Sequence, residues 1–547
     1  MTIAPDTRRR ILKFALIFLP FGTWLLTAMY LSGVGPRQIR WPLLSYWILA
    51  TPRVLPLIIA PIVGLVQVIL LAMLLKRYST TKGFDGAGYK RHIRGTQIIP
   101  YKKMVKKCRE KKTIQVDVAG VPMPTHLENL HLLINGATGT GKSVLMRALI
   151  LSLLKRGDRA VIVDPDGALY RKFGRPGDII LNPYDTRTQG WMFFNEVRAD
   201  YDWKRLGFSV VPLGQSAEDE NWNGYGRLLL RAVSRKLFEM GIQDIGQVIY
   251  WCCEAPFDDI RAFLTGTEAS SLFAGASEST RAFDSARFVL SKYVAEHRDM
   301  PNGDFSITDW LENGTGCLYI TWKENMKVAM RPLISCWVDV FCSSFLSLQE
   351  SQSRRFWLLI DELASMEKLA TLQDALTKGR KYGLRVVAGL QTVAQIVEIY
   401  KDAAKTLLAS FRSLVVLGGA RTDQDTAQAM SKALGEHEVE RPEYTDSRNA
   451  GRDRSTSERM TRTKEPVVMD SDIQGLKALT GYVGFAESEL ISKFTLTPIA
   501  FINRNEAFVE TESLRSRSAA ALLRAGDIEP SPWDMTTDAL PSDPTQV

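Results

Sequence analysis

The chain has 547 residues, of which 45% are hydrophobic and 24% charged, and its formal net charge is +9. This is a globular composition, which excludes a chain that is disordered throughout and leaves room for a membrane part and one large or two smaller domains. The positive charge favours an anionic partner, either nucleic acid or a membrane surface. The six cysteines include no C-x-x-C spacing, so we expect reduced thiols and no structural zinc.

Two apolar stretches near the N-terminus predict membrane-spanning helices. Residues 11–31 contain one charged side chain, Lys13, and residues 54–75 contain none. Each stretch is long enough to cross a hydrocarbon layer of about 30 Å as a helix. We therefore expect residues 1–76 to form a membrane anchor of two helices.

Basic residues predict the orientation of this anchor. They are dense before the first stretch and after the second, and sparse in the intervening loop of about 22 residues. Both termini are therefore expected in the cytoplasm, with the bulk of the chain on the inner face of the cell inner membrane. The competing interpretation is a cleaved twin-arginine signal at residues 7–13, which is disfavoured because a second span follows and no clear cleavage site does.

Residues 77–195 are interpreted as a basic connector followed by the first part of a nucleotide-binding domain. The connector, residues 76–115, contains six lysines that are candidates for contact with anionic lipid or DNA, although a solvated charge run fits them equally well. These lysines are Lys102, Lys103, Lys106, Lys107, Lys111 and Lys112.

Residues 136–143 match the P-loop pattern G-x-x-x-x-G-K-[ST] and lie between a predicted strand and a predicted helix. In such a loop the backbone N–H groups and the helix N-terminus bind phosphate oxygens. Lys142 is expected to reach the β- and γ-phosphates of ATP, and Ser143 to ligate Mg²⁺. The alternative is a glycine-rich turn that fits by chance. The predicted nucleotide-binding residues are Gly136, Ala137, Thr138, Gly139, Thr140, Gly141, Lys142 and Ser143.

Short apolar strands alternate with helical patterns from residue 130 onward, which favours a mostly parallel sheet covered by helices. The strands are predicted at residues 160–163, 317–320, 356–360, 384–389 and 414–417, and the helices at 143–155, 326–347, 366–378 and 402–411. Residues 196–305 lack strand alternation and have helical runs, so we interpret them as an all-α domain. Residues 306–510 are expected to form the second part of the nucleotide-binding domain.

Asp361 and Glu362 follow the apolar run at residues 356–360. A carboxylate in this position holds the Mg²⁺ shell in P-loop ATPases, and Glu362 is placed to act as a general base on the attacking water. The alternative is an acidic N-cap for the helix predicted at residues 366–377. Five apolar residues before the acidic pair favour catalysis, so we expect the chain to bind and hydrolyse ATP.

Two later segments lack a core pattern. Residues 441–464 are polar and charged, and we interpret them as a mobile loop or linker. Residues 511–547 form a C-terminal segment. Its last 22 residues contain four prolines and five acids but no basic residue, which predicts a disordered acidic tail that could dock on a basic partner.

Taken together, the two spans, the P-loop, the helical insertion and the Asp361-Glu362 pair resemble the TraD/TraG-type coupling proteins of bacterial conjugation. Four further segments, at residues 91–96, 164–166, 182–185 and 379–384, are similar to TrwB-type members. The resemblance covers residues 10–510. It implies a RecA-like hexameric ATPase, fixed to the inner membrane, that uses ATP and Mg²⁺. The implied partners are a relaxase with its relaxosome proteins, single-stranded and in some steps double-stranded DNA, and the components of a type IV secretion channel.

The resemblance also implies two further catalytic residues. Arg380, in the Gly-Arg-Lys-Tyr-Gly segment, matches the candidate arginine finger that acts across a subunit interface, and Gln391 matches the γ-phosphate sensor. Lys381 or Arg385 could be the finger instead, and Arg380 could merely cap a helix. Gln391 could be an ordinary residue at a strand end. Asp164 and Asp166 are expected to shape a loop and are left out of the site.

Other functions remain open at this point. A DNA-pumping ATPase of the FtsK or HerA kind, acting on double-stranded DNA, shares the motifs, but the two spans and the lack of a DNA-reading domain after residue 510 count against it. A nucleotide-binding membrane receptor or scaffold would not need Glu362. Residues that contact DNA are only candidates: Trp222, Tyr225, Arg227, Arg231 and Arg235.

Overall fold

A computed structural model describes residues 5–77, 81–82, 88–89, 91–273, 278–448 and 454–511. By compactness the chain divides into two units. The first unit comprises the residues up to Met104 with Gly418–Lys477 and Gly481–Lys493, and the second comprises Val105–Leu417, Ala478–Thr480 and the residues from Phe494 onward. The predicted acidic tail lies outside the described residues. The domain boundaries proposed from the sequence stay predictions.

The first unit begins with the two predicted spans. Helices α1 (Pro5–Ser32) and α3 (Leu55–Arg77) contain them, and a shorter helix, α2 (Trp41–Ala50), lies in the connecting loop. Thr23 Oγ1 on α1 donates to the Ala60 carbonyl on α3 at 2.9 Å. Most apolar side chains outside this seam are exposed, as lipid-facing helices require. Both helices are long and apolar enough to cross a membrane.

The segment after α3 contains more structure than the predicted connector. It forms the strands β1 (Thr81–Lys82), β2 (Gly88–Tyr89), β3 (Arg91–Gly95) and β4 (Gln97–Ile98), followed by the helix α4 (Tyr101–Cys108). Four of the predicted contact lysines lie on α4 and are exposed, while Met104 is buried.

The second unit contains a sheet of seven parallel strands in the order β13-β7-β12-β11-β8-β10-β9. These strands are β7 (Leu132–Asn135), β8 (Arg159–Pro165), β9 (Ile179–Leu181), β10 (Leu318–Trp322), β11 (Phe356–Ile360), β12 (Leu384–Leu390) and β13 (Ser413–Leu417), and a small hairpin, β5 (Asp117–Val118) with β6 (Val121–Pro122), precedes them. The five predicted strands are confirmed to within one or two residues at each end. Their residues are almost all buried, as expected of a parallel sheet with helices on both faces.

The second unit also contains helices that accompany the strands and helices of the insertion. They are α5 (Lys142–Arg156), α6 (Tyr170–Phe173), α7 (Asp202–Val210), α8 (Ala217–Glu239), α9 (Ile245–Ile249), α10 (Phe257–Phe263), α11 (Glu278–Tyr293), α12 (Ile307–Asn313), α13 (Lys327–Phe345), α14 (Leu372–Lys378), α15 (Val393–Tyr400) and α16 (Ala403–Ala409). The window Glu324–Phe345, which contains α13, is apolar enough for a membrane span, but 78% of it is buried inside the protein. It is therefore a core helix.

The insertion predicted at residues 196–305 is helical. Its described part contains α7 to α11 and short 3₁₀ and π turns, with no strand between residues 197 and 304. Ser216 begins α8 with a capping box, because its Oγ accepts from the Asp219 N–H while the Asp219 carboxylate accepts from the Ser216 N–H. The aromatic rings of Phe194, Trp203 and Phe238 pack the insertion onto its surroundings.

The helix predicted at residues 366–378 is wrong in its first half. A short 3₁₀ turn, Leu363–Ser365, is followed by irregular chain, and helix α14 begins only at Leu372. Side chains of α13 bind the backbone of this stretch. Arg331 donates to the Met366 carbonyl at 3.0 Å, and Ser335 Oγ accepts from the Glu367 N–H at 2.8 Å. These tertiary contacts replace the local bonds of a helix.

The loop predicted at residues 441–464 is also wrong. The first unit resumes with α17 (Gln424–Leu434), β14 (Glu436–Arg448), β15 (Arg454–Pro466), α18 (Asp470–Gln474), β16 (Thr480–Gly484) and β17 (Leu490–Thr495). Strands β14 and β15 are antiparallel partners along their whole length, and β3 joins them. Some charged side chains form cross-strand ion pairs. Arg441 pairs with Glu465 at 2.6 Å, and Arg462 pairs at 3.3 Å with Glu440, which is directly opposite it. Charges that indicated a loop in the sequence thus take part in pairs between strands.

Candidate functional site

The predicted P-loop lies at the carboxyl end of β7, and α5 begins directly after it at Lys142. Gly139 and Gly141 have φ angles of +78° and +114°, a left-handed region that glycine occupies without strain. The loop therefore curls over the N-terminus of α5, which is the geometry that directs backbone N–H groups at an anion. The chance-turn interpretation does not explain this strand–loop–helix geometry.

Asp361 and Glu362 directly follow β11 and lie beside the P-loop. Lys142 Nζ is 3.1 Å from Glu362 Oε2, and these two side chains are only 11% and 14% exposed. Glu362 precedes the 3₁₀ turn but makes no side-chain capping bond to it. The N-cap alternative is therefore not supported, and the acidic pair faces the phosphate loop.

The carboxylates have free oxygen atoms suited to a divalent cation. Asp361 Oδ1 and Glu362 Oε1 are buried and make no hydrogen bond to the described residues. Burial raises the pKa of Asp361 and nearby Glu362 raises it further, while Lys142 opposes the shift. Magnesium commonly takes one or two carboxylates together with substrate phosphates, and these two carboxylates lie beside the P-loop.

Gln391 lies at the same edge, directly after β12. Thr138 Oγ1 in the P-loop donates to Gln391 Oε1 at 3.3 Å. A cavity of about 500 Å³ is lined by Lys142, Ser143, Asp361, Glu362 and Gln391 among others. The structure thus brings together five predicted residues that are far apart in the chain.

Sequence reasoning missed several residues that line this cavity: Arg147, Trp322, Glu324, Lys327, Ser365 and Leu479. Trp322 is the last residue of β10, at the carboxyl edge of the parallel sheet. Ligands commonly bind at this edge, so its position in the chain could have indicated Trp322 and, after it, Glu324 and Lys327. Leu479 had no such signal. Its N–H donates to the Thr140 carbonyl at 2.8 Å from a backbone with φ +64°.

Arg380 lies at the opposite edge of the sheet. It belongs to a 3₁₀ turn, Gly379–Tyr382, at the amino end of β12, whereas Gln391 follows the carboxyl end. A strand of seven residues covers roughly 20 Å. Arg380 therefore does not join the nucleotide cavity of its own chain and instead lines a separate cavity of about 880 Å³.

The structure distinguishes Arg380 from Lys381 and Arg385, the two other candidates for the arginine-finger role. Arg385 is buried and its Nε donates to Glu128 Oε2 at 2.9 Å, so it is a structural residue. Lys381 is exposed but forms an ion pair with Glu350 at 2.8 Å. The Arg380 guanidinium is exposed and has no hydrogen bond or ion pair with a described residue. It is the member of the three that is free to act elsewhere.

Asp164 and Asp166 shape the loop after β8, as expected. The Asp164 carboxylate accepts from the N–H groups of Leu169 and Tyr170, at 3.0 and 2.7 Å. Burial raises the pKa of Asp164 to about 7. Asp166 Oδ1 accepts from the Glu324 N–H at 3.2 Å.

The candidate DNA-contacting arginines on α8 are all paired. Arg227 is buried and bound to Glu220, Arg231 pairs with Glu268, and Arg235 pairs with Asp200 and Glu239. Arg227 is therefore a packing residue. Trp222 and Tyr225 are partly exposed neighbours, with ring centroids 6.1 Å apart.

Residues 115–497 match the family model of the type IV secretion-system coupling protein DNA-binding domain. The chain belongs to this coupling-protein family. The coupling protein TraD of Escherichia coli K12 is 28% identical over 402 residues, which are 70% of this chain and 54% of TraD, so the match spans about half the length of that relative. The predicted family resemblance is confirmed.

Solved structures of another coupling protein are similar as well. The unbound form of the bacterial conjugative coupling protein TrwBdeltaN70 is 56% identical, with a TM-score of 0.75, and covers 79% of this chain and 99% of its own. TrwB has also been solved with the ATP analogue ADPNP and with ADP and Mg²⁺, each at 56% identity and a TM-score of 0.73. The predicted fold, a RecA-like P-loop domain with an all-α insertion behind two N-terminal apolar helices, is confirmed.

Proposed function

We propose that this coupling protein is an inner-membrane, DNA-dependent ATPase that couples a relaxase–DNA complex to a type IV secretion channel and drives DNA transfer during bacterial conjugation. The observation that carries the proposal is the cavity in which the P-loop, Asp361, Glu362 and Gln391 meet. The nucleotide complexes of TrwB and the DNA-binding description of the family model support it.

In this proposal ATP hydrolysis uses three side chains that line the cavity: Lys142, Glu362 and Gln391. Lys142 leaves Glu362 and binds the β- and γ-phosphates, because a phosphate oxyanion competes for the same ammonium. Glu362 then accepts a proton from water as the water oxygen bonds to the γ-phosphorus and the bond to the β–γ bridging oxygen breaks. Gln391 orients the γ-phosphate through its amide, which both donates and accepts hydrogen bonds.

Ser143 and Asp361 would hold Mg²⁺ on the nucleotide, where the cation neutralises phosphate charge. Asp361 and Glu362 each have a buried oxygen without a hydrogen bond, which fits this assignment. Of the two, Asp361 is the proposed ligand because Glu362 acts as the base on the attacking water.

The remaining parts of the proposal concern assembly and location. Arg380 acts on the nucleotide of an adjacent subunit in a homo-hexamer, since it lies at the edge of the sheet away from its own P-loop. The two N-terminal helices fix the ring to the inner membrane with both termini in the cytoplasm. Relaxase and relaxosome proteins, the secretion channel, and single-stranded and double-stranded DNA are the proposed partners.

The first test measures ATP hydrolysis by a fragment that begins near residue 77, with and without single-stranded DNA. Lys142→Ala should lower turnover by at least ~10³-fold, because the phosphates lose their main cationic contact. The same variant in the full chain should still insert in the membrane but should fail to support DNA transfer. Normal turnover in this variant would refute the site.

DNA stimulation that disappears in Lys142→Ala would support a DNA-dependent motor. Turnover that depends on Lys142 but is indifferent to DNA would contradict DNA dependence and favour a protein-triggered ATPase. The two outcomes therefore separate the nucleotide site from its proposed trigger.

A further inference from the structure

A cationic cleft lies at the amino edge of the parallel sheet, away from the nucleotide cavity. Its volume is about 880 Å³, and of the described residues that line it none is acidic. Five of its lining side chains carry permanent positive charge: Arg355, Lys378, Arg380, Lys381 and Arg385. A concave surface with this charge favours a compact anion.

Three of the five cations are already neutralised within the chain. Arg385 is bound to Glu128 at 2.9 Å, Lys378 to Asp374 at 2.8 Å and Lys381 to Glu350 at 2.8 Å. Arg355 and Arg380 make no side-chain hydrogen bond or ion pair to the described residues. The cleft therefore presents two guanidinium groups whose charge is not balanced locally.

The two free arginines come from adjacent chain segments. Arg355 directly precedes β11, and Arg380 lies in the turn that precedes β12. These strands are neighbours in register, Phe356 opposite Leu384, and the Phe356 N–H donates to the Gly383 carbonyl at 3.2 Å. The sheet itself thus holds the two backbones side by side.

We propose that Arg355 is a second arginine of the trans site and binds, together with Arg380, the phosphates of ATP held by the adjacent subunit. This inference rests on the proposed ring ATPase. Two planar guanidiniums can share the oxygens of a triphosphate through paired hydrogen bonds. A nucleic-acid backbone would call for an extended row of free cations, whereas both lysines of this cleft are committed to carboxylates.

The first experiment measures steady-state ATP hydrolysis by the full chain with Arg355→Ala. Turnover should fall by about tenfold or more, less than for Arg380→Ala, which should cost ~10³-fold. The turnover of Arg355→Lys should lie between that of Arg355→Ala and that of the unaltered protein, because lysine keeps the positive charge but lacks the planar guanidinium. Arg298→Ala is the matched control and its turnover should stay within about twofold, since Arg298 lies outside the cleft and is already paired with Glu254 at 2.7 Å.

Thermal unfolding and DNA binding of the same variants make the result specific. Arg355 has no partner to lose, so Arg355→Ala should unfold at nearly the unaltered temperature. Turnover equal to that of the unaltered protein would overturn the proposal. Normal turnover with weakened binding of single-stranded DNA would also overturn it, and would assign the cleft to nucleic acid.

Subunit mixing tests whether Arg355 acts across the interface. Mixing Arg355→Ala with Lys142→Ala chains should restore turnover, because the intact P-loop of the first faces the intact cleft of the second. Mixing Arg355→Ala with Arg380→Ala should restore none, because every interface then lacks one of the two arginines. Recovery in the second mixture, or none in the first, would overturn the proposal.

These outcomes are distinguishable from failure of the proposed function. Lys142→Ala chains that hydrolyse ATP normally would refute the ATPase itself. If Lys142 and Arg380 are required but Arg355 is not, the ring ATPase stands and only the second arginine is lost.

Discussion

The two edges of the parallel sheet carry opposite kinds of charge arrangement. At the carboxyl edge, Lys142 is paired with Glu362, and each carboxylate of the acidic pair has one buried oxygen without a hydrogen bond to a described residue. At the amino edge, the cleft around Arg380 has no acidic lining residue and keeps two guanidiniums unpaired. The first edge contains the groups that we propose bind the nucleotide of the same chain, and the second contains the arginines that we propose act on the nucleotide of an adjacent subunit.

The largest effect that would test this comparison is expected from Arg380→Ala. Turnover should fall by ~10³-fold while nucleotide affinity changes little, because an arginine finger stabilises charge that develops in the transition state. The measurement is kcat and KM for ATP in the assembled protein, with Lys381→Ala beside it. Should the lysine variant lose as much turnover as the arginine variant, the finger assignment would be wrong.

Glu362→Gln should reduce turnover by at least ~10²-fold, because the amide cannot accept the proton of the attacking water. ATP should still bind, since Glu362 is not a phosphate contact. Equilibrium binding and single-turnover hydrolysis measure the two quantities separately. DNA transfer that persists without hydrolysis would favour the scaffold alternative over the motor.

Gln391→Ala should lower turnover by about tenfold, the loss expected for one hydrogen bond to a charged group. The reason is that Gln391 lies beside Thr138 of the P-loop, where we propose that it contacts the γ-phosphate. Thr138→Ala, which removes its observed partner, serves as a companion. Unchanged hydrolysis in Gln391→Ala would make it the ordinary strand-end residue that the sequence also allowed.

Glu128→Ala sharpens the contrast between paired and unpaired cations at the amino edge. Glu128 is buried and binds both Arg156 and Arg385, so its removal leaves buried positive charge uncompensated. The free energy of unfolding should fall by about 3–5 kcal/mol. Turnover per folded molecule should stay within about twofold. A large loss of turnover at unchanged stability would contradict a structural role for Arg385.

Local sequence patterns predicted the structure correctly where a feature is formed by residues that are neighbours in the chain. The β7–loop–α5 segment and the Asp361-Glu362 pair each depend on a few neighbouring residues, and the structure places them as expected. Local patterns failed where distant side chains supply the bonds. The stretch after Ser365 is irregular because Arg331 and Ser335 bind its backbone. The described residues of the polar segment 441–464 lie in two antiparallel strands, and Arg441 and Arg462 pair with acidic residues of the opposite strand.

By itself the sequence determined the two apolar helices, the alternation of strands and helices, and the P-loop motif with the acidic pair after β11, since each follows from residue type and short-range spacing. Only the tertiary structure decided which cations are free. Arg380 and Arg385 look alike in the sequence, but Glu128, which neutralises one of them, lies far away in the chain. Pairing of charges depends on distance in space, so it was settled only when the sheet brought β12, which contains Arg385, beside β7, which follows Glu128.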